Sequence, residues 1–328
     1  MSEWNYERAF SRNLGLVSPA EQERLRGSCV AIAGLGGVGG VHLATLLRMG
    51  VGRFKLADLD RFELANTNRQ YGATTRTLGR DKLEVMAEVA RSINPDVELE
   101  LFPEGIGPGN IARFLSGADV ALDGIDFFAL PIRRMFFAEA RARGVPAVTS
   151  APLGFGATLQ VFAPGGMSFD EYFDVRDETP RLDQIVAFAV GLAPRALHLP
   201  YMDLGRVDLG AETGPSSSIG CQLAAGIASA AVVDLLLGRR VEAAPAFLQF
   251  DARRGRLARG RVRFGNRSPL QRLKRWYVKR LLTKGAPSPK GAPSLDGAPS
   301  REGAPPEGAA APAGASSAKG AQEAARAA

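Results

Sequence analysis

The glycine run Gly34-Leu35-Gly36-Gly37-Val38-Gly39-Gly40 directly follows the apolar stretch Cys29-Val30-Ala31-Ile32-Ala33 and directly precedes a helix-like pattern. That order limits the folds open to the chain. A buried strand ending in glycines lets the backbone turn sharply, and the amides at the start of the next helix then face an anion. The reading is a nucleotide-phosphate cradle on Gly34, Gly36, Gly37 and Gly39. A second strand-like run, Phe54-Lys55-Leu56-Ala57, ends at Asp58, roughly where a ribose-binding acid is expected. These residues specify an adenine nucleotide and leave NAD, FAD and ATP open. The same glycines would also serve turn geometry and helix–sheet packing, and Asp58 could cap a turn.

The rest of the chain is consistent with such a cradle. From Val30 to Thr149, strand-like runs centred on Ile32, Leu56, Leu99, Ala121 and Val148 alternate with helical patterns. This predicts a doubly wound, Rossmann-like α/β fold with a mainly parallel sheet and helices on both faces. Leu78 to Asn94 reads as a helix stopped by Pro95, and Pro131 to Arg143 as another that ends at Gly144. Ser18-Pro19-Ala20-Glu21 is a capping box that opens a short helix to about Arg26. After Pro152 come a strand at Ala157–Phe162, an acidic loop at Asp170–Asp174, a helix around Asp183–Gly191 and a long small-residue helix at Ile219–Leu237. Phe247–Phe264 reads as two further antiparallel strands around Arg253-Arg254-Gly255. The expected division is a main domain over 1–264, a basic amphipathic helix within 265–284, and a Gly/Ala/Pro-rich tail over 285–328 that cannot bury a core and stays disordered.

Two cysteines, Cys29 and Cys221, allow neither a disulfide framework nor a four-cysteine zinc site. With an N-terminus lacking the order of a secretion signal, the chain is expected in the reducing cytoplasm. The apolar stretch Cys221–Leu237 carries Gln222 and Asp234 and falls short of bilayer thickness, so it reads as a buried helix. The net charge of +7 is concentrated: thirteen Lys or Arg and no acid lie between Ala252 and Lys284. Without those thirteen of its 41 bases, the chain has fewer bases than its 34 acids. The basic segment could grip RNA phosphates, lie on an anionic membrane surface, or pack across the protein's own acidic body; Trp276 and Tyr277 suit the membrane option, and self-packing or membrane contact ranks above RNA binding.

The polar groups around the cradle narrow the reading. Asn66-Thr67-Asn68-Arg69-Gln70, Gly79-Arg80-Asp81-Lys82 and Asp123-Gly124-Ile125-Asp126, with Arg12 upstream, are more than a dinucleotide dehydrogenase requires. From about Arg8 to Gly238 the chain resembles the ThiF-type, ubiquitin-activating-enzyme-like adenylyltransferases. The resemblance implies ATP and Mg²⁺ as ligands and a carboxylate as substrate. Carboxylate attack at an α-phosphate brings anions together, so cations must offset the triphosphate charge. By the resemblance, Arg69 and Lys82 do that work, Asp58 holds the ribose, Asn66 and Gln70 line the pocket, and Asp126 holds Mg²⁺. Arg12 matches an arginine that family members insert into the partner subunit's active site, which implies a homodimer. Apart from the resemblance, the three cations read as ordinary surface charges and Asp126 as a helix cap.

Several features depart from the family pattern. The paired Cys-x-x-Cys zinc motifs of sulfur-carrier activators are absent, and Phe127-Phe128 follows Asp126 where many of those relatives have Asn. The acceptor is therefore open: a ubiquitin-like or other small carrier protein, another carboxylic acid, or, from the layout after Pro152, a tRNA threonylcarbamoyladenosine that is dehydrated and cyclised. An NAD- or FAD-binding oxidoreductase and a non-catalytic nucleotide-binding scaffold are the readings from other classes. Cys221 sits near a helix start, where a thiolate would be activated, but its surroundings match no thioester motif. His42 and His198 read as structural.

Overall fold

The computed structural model describes residues 4–284. A single turn, α1 (Tyr6–Ala9), precedes α2 (Pro19–Gly27). The expected capping box opens α2: the Glu21 amide donates to Ser18 Oγ (3.3 Å) and the Ser18 amide to Glu21 Oε2 (2.8 Å). The chain then alternates through β1 (Cys29–Ala33), α3 (Gly39–Arg48), β2 (Arg53–Ala57), α4 (Lys82–Ile93), β3 (Glu98–Phe102), α5 (Ile111–Leu115), β4 (Val120–Asp123), α6 (Leu130–Ala142) and β5 (Ala147–Thr149). There follow β6 (Pro152–Leu153), β7 (Gly156–Phe162), α7 (Phe169–Phe173), α8 (Arg181–Leu192), α9 (Ser218–Leu236), β8 (Ala246–Asp251), β9 (Arg256–Arg261) and α10 (Pro269–Lys284).

The strands form one sheet in the order β3-β2-β1-β4-β5-β7-β8-β9, with β6 paired to β7. The first five are parallel and the remainder antiparallel, as the sequence pattern predicts. Alternate residues of β1 serve two cores. Val30 and Ile32 join Leu56, Leu122 and the helices α3, α4 and α9 on one face. Ala31 and Ala33 face the other way and leave room for the aromatic cluster of Phe136, Phe137, Phe162, Phe169 and Phe188. This division follows from the period-2 alternation of a strand buried on both sides.

Two local expectations are corrected. The helix read from Leu78 begins only at Lys82, because Thr77 Oγ1 donates back to the Gly72 carbonyl (2.6 Å), Gly79 takes φ +81°, and Asp81 bridges Arg61. Residues 78–81 are thereby held in turns. The acidic stretch Asp170–Asp174 is mostly helix: a second capping box, Ser168 with Glu171, opens α7 and buries Phe169, Tyr172 and Phe173. Helix α9 is long and apolar enough to cross a membrane, yet it packs against α3 and β7. Helix α10 packs against α8 in the same compact unit. The tail expected to be disordered, 285–328, lies outside the described residues.

Candidate functional site

The sheet order reverses direction between β1 and β4, which form the topological switch point where open α/β sheets bind ligands beyond their carboxyl ends. The glycine loop leaves β1 there. Gly34 takes φ +87°, and its amide donates to the Ala57 carbonyl at the end of β2 (2.8 Å). A Cβ on Gly34 would stand 2.3 Å from the Gly124 carbonyl oxygen, and one on Gly39 only 1.8 Å from the Gly34 oxygen. The loops after β1 and β4 thus touch backbone to backbone, which no side chain at Gly34, Gly39 or Gly124 would permit. The amides of Gly36, Gly37 and Val38 have no protein acceptor among the described residues, as expected where a helix start faces a ligand.

Asp58, just past β2, accepts the Leu35 amide on one carboxylate oxygen (2.6 Å) and the Asp60 amide on the other (2.9 Å). It therefore shapes the loop while keeping further lone pairs for a ligand hydroxyl. Burial raises its carboxyl above the ordinary aspartate value, against the pull of those two amides and of Lys82. Lys82 opens α4, is itself buried, and places Nζ 2.9 Å from Asp60 Oδ2, whose side chain is 59% exposed. Asp60 is a partner that sequence reasoning missed. The single signal for it was its position two residues after Asp58.

Gln70 is buried beside the loop, with Nε2 3.5 Å from where a Cβ on Gly36 would stand, and its buried Oε1 has no hydrogen-bond partner among the described residues. Arg69 runs its aliphatic stem along Gly37 and donates from Nη1 to the Ala65 carbonyl (3.0 Å) and Asn68 Oδ1 (2.9 Å). Asn66 is buried, and its Oδ1 accepts the Glu63 amide (3.0 Å), which makes it a local cap as well as a neighbour of the site. Asn68 Nδ2 donates to the Ser216 carbonyl (3.0 Å) and so ties the crossover segment ahead of α9 to this wall.

Asp126 is exposed, and its Oδ1 accepts the Phe128 amide (2.9 Å) in a turn ahead of α6; it is not the helix cap expected from sequence, because the N-cap position falls at Ala129 and has no side-chain cap bond. Its loop is held from beneath. Arg133 of α6 donates through Nε to Asp123 Oδ2 (2.9 Å) and through Nη1 to the carbonyls of Asp126 (3.0 Å) and Phe127 (3.3 Å), with Nη2 on the Ile125 carbonyl. Thr149 Oγ1 gives Asp123 a further bond at 2.8 Å. Sequence reasoning placed Asp123 and Gly124 in a motif without giving them a role, and it missed Arg133 and Thr149.

Two residues stand apart from this group. Arg12 is exposed in a 3₁₀ turn whose next residue, Asn13, donates to the Arg48 carbonyl (3.3 Å) at the C-terminal end of α3. The glycine loop lies at the opposite end of that helix, about 15 Å away by helical rise, so one chain does not bring Arg12 to its own crevice. Cys221 lies fully buried against Gly37, its sulfur 3.1 Å from where a Cβ would stand, and burial raises its thiol pKa. That environment disfavours a thiolate. A cavity of about 530 Å³ lies elsewhere, lined by Asp174, Asp183 and Trp276. Its mixed ion-paired walls carry none of the glycine-loop chemistry.

The residues fit a nucleotide triphosphate with Mg²⁺. Loop amides without a protein acceptor among the described residues lie beside the buried Gln70 and the stem of Arg69, and Lys82 stands near enough to Asp58 to act on its charge. Among the described residues no cluster of three or more His, Cys, Asp or Glu can cage a metal. A single carboxylate such as Asp126 suits Mg²⁺, which takes one or two protein oxygens and fills its remaining positions with phosphates and water.

The ThiF family pattern matches residues 10–272. Among curated proteins, the tRNA threonylcarbamoyladenosine dehydratase of Haemophilus influenzae is 37% identical over 123 residues, which cover 37% of this chain and 47% of that protein. The sulfur carrier protein adenylyltransferase of Thermus thermophilus is 34% identical over 146 residues, covering 44% and 53% respectively. The chain spans about half the length of these curated relatives. Among solved structures, the Escherichia coli tRNA N6-threonylcarbamoyladenosine dehydratase in complex with ATP superposes with a TM-score of 0.53 at 19% identity, covering 71% of this chain and 95% of that one. Escherichia coli MccB with ATP gives 0.58 at 17% identity, covering 82% and 73%. At these identities the structural likeness is one of fold.

Proposed function

The chain belongs to the ThiF family, and from that premise we propose that it is a cytoplasmic, ATP- and Mg²⁺-dependent adenylyltransferase. A carboxylate oxygen of the substrate bonds to the α-phosphorus of ATP and pyrophosphate leaves, so carboxylate and ATP become acyl-adenylate and pyrophosphate. The observation that carries the reading is the backbone contact between Gly34 and Gly124 at the switch point. It sets the Asp126 loop beside the glycine loop that would hold the phosphates.

In this reading the amides of Gly36, Gly37 and Val38 bind phosphate oxygens, and Gln70 and Asn66 line the pocket. Asp58 receives the ribose hydroxyls. Arg69 and Lys82 offset the charge that collects on pyrophosphate, Lys82 exchanging its exposed partner Asp60 for a phosphate. Asp126 holds Mg²⁺, which when bound adds positive charge to the phosphates. Arg12 reaches the crevice of a second copy, making the working unit a homodimer.

The acceptor carboxylate belongs to a small carrier protein or another acid, a reading supported by the Thermus thermophilus relative that bears the name of a sulfur carrier protein adenylyltransferase. The 37% identity to a tRNA threonylcarbamoyladenosine dehydratase supports a second acceptor for the same activation step. Pyrophosphate exchange into ATP, dependent on an added carrier protein or on threonylcarbamoylated tRNA, decides between them. Asp126→Ala is expected to reduce exchange by about a hundredfold or more, and full exchange in that variant would remove the metal assignment. Tighter binding of NAD or FAD than of ATP in calorimetry would overturn the activity.

A further inference from the structure

The arginine-rich segment and its helix have features that the nucleotide site does not explain. Helix α10 docks on the body of the protein through its polar side chains. Gln271 is buried and donates to the Val190 carbonyl (3.4 Å), and Lys274 Nζ donates to the Pro194 carbonyl (2.6 Å). Arg275 pairs with Asp174 at 2.6 Å and Lys279 with Asp183 at 2.7 Å. Much of the apolar side is turned outward, with Val278, Leu281 and Leu282 half-buried. Leu270, Leu273, Trp276 and Tyr277 are each more than half exposed, and Phe264, just before the helix, is 60% exposed. The orientation is the reverse of a surface helix that covers a core.

The outward strip is fringed with positive charge. Arg280 lies over the Trp276 ring at 5.5 Å, Arg263, Arg267 and Arg272 are exposed around it, and no acid occurs from Ala252 to Lys284. Such a fringe on a second copy would repel its twin, so the strip is poorly matched to itself. Residues 285–328 offer Leu295 as their only large apolar side chain and are poorly suited to cover it. Leucines with a Trp–Tyr pair, bordered by arginines, with no acid in their own segment and with the neighbouring Asp174 and Asp183 paired to Arg275 and Lys279, match the interface of an anionic bilayer. There the rings and leucines enter the headgroup boundary and the arginines meet lipid phosphates. We propose that the outward face of α10, with Phe264 and the flanking arginines, docks this protein reversibly on a membrane surface rich in anionic lipid headgroups.

The test uses the full chain and vesicles of phosphatidylcholine alone or in equimolar mixture with phosphatidylglycerol. The protein should float with the mixed vesicles only, and raised salt should release it. In a Trp4→Phe background, the emission of Trp276 should shift to the blue on binding. Leu273→Glu with Trp276→Glu should weaken partition by about tenfold or more, as expected for lost apolar burial beside anionic headgroups, while thermal unfolding of these exposed-site variants stays at the wild-type temperature. Absence of flotation, equal binding to both vesicle types, or binding that survives Leu273→Glu with Trp276→Glu would overturn the proposal. So would a dimer, or an RNA complex in a gel-shift assay, that depends on the same two side chains when flotation does not. The readout is partition and fluorescence, so failure of the nucleotide assignment would leave it untouched.

Discussion

Arg133 Nε donates to Asp123 Oδ2 across 2.9 Å with both side chains almost wholly buried, at 4% and 2% exposure. The remaining donors of that guanidinium are spent on the backbone of the loop that carries Asp126. One ion pair therefore joins the end of β4 to the first turns of α6 and fixes the loop between them. Arg133→Ala leaves the Asp123 charge buried without its partner, a change that costs about 3–5 kcal/mol in comparable cases. The expected result is a large loss in urea-unfolding stability. The double variant Asp123→Asn with Arg133→Met should recover most of that loss, because the charge then leaves with its partner. Nucleotide affinity should stay low in the double variant, since the carbonyls of Ile125, Asp126 and Phe127 no longer have a donor to hold them.

A contrast of two glycines tests the switch-point contact. Gly34 has φ +87° and a Cβ there meets the Gly124 oxygen at 2.3 Å, while Gly117 has φ +70° with nothing within 4 Å of its Cβ position. Gly117→Ala should lose only the cost of a left-handed backbone, about 1 kcal/mol. Gly34→Ala adds a backbone collision that no rotamer relieves, so it should destabilise by several kcal/mol more and abolish ATP binding. Urea unfolding and calorimetric titration with ATP measure both, and equal effects in the two variants would refute the close-packed loop.

The parts of this molecule that are local in sequence were legible, and the parts made by distant contacts were not. The strand–glycine–helix unit, the α2 capping box and the alternating elements around Ile32, Leu56, Ala121 and Val148 follow from short-range chemistry. The stretch 170–174 is mostly helix where its acids suggest a loop, because Ser168 and Glu171 form a second capping box beside three aromatics that bury. Arg133 and Thr149 carry no periodic or motif signal, since their roles arise only when β4, β5 and α6 are brought together. The outward turn of the α10 apolar strip is equally invisible in a helical pattern, which gives the strip but not the side that docks.

Gln70 links stability and binding with opposite signs. Its buried Oε1 is an acceptor without a donor among the described residues, and such an atom costs about 1–3 kcal/mol of desolvation in the free protein. Gln70→Met keeps the length and removes the orphan. It should raise the urea midpoint while weakening nucleotide binding by about tenfold, the loss of one hydrogen bond at a site built to make it. A variant that is both more stable and an unimpaired binder would show that Gln70 does not face the ligand.

His42 makes the fold sensitive to acid. The imidazole lies in α3, fully buried, and neither nitrogen finds a partner at hydrogen-bonding geometry among the described residues. Burial draws its pKa down from 6.5 to about 3, against the opposing effect of the Ala225 backbone. A folded-state value below the unfolded one means that the unfolded chain binds the proton first. The contribution of His42 is therefore present above pH 6.5 and is lost as the pH falls towards 3. Between pH 7 and 5 that loss is on the order of 2 kcal/mol. His198, drawn down to about 4 by burial, acts in the same direction, so the comparison must be made between variants. In urea unfolding at the two pH values, His42→Leu should show a shallower fall in stability than wild type by about that amount. It should also be at least as stable at pH 7, because leucine asks for no partner where the imidazole has none. An unchanged pH difference would mean that His42 is reached by water in the folded protein, and the packing of α3 against α9 would then be looser than the structure describes.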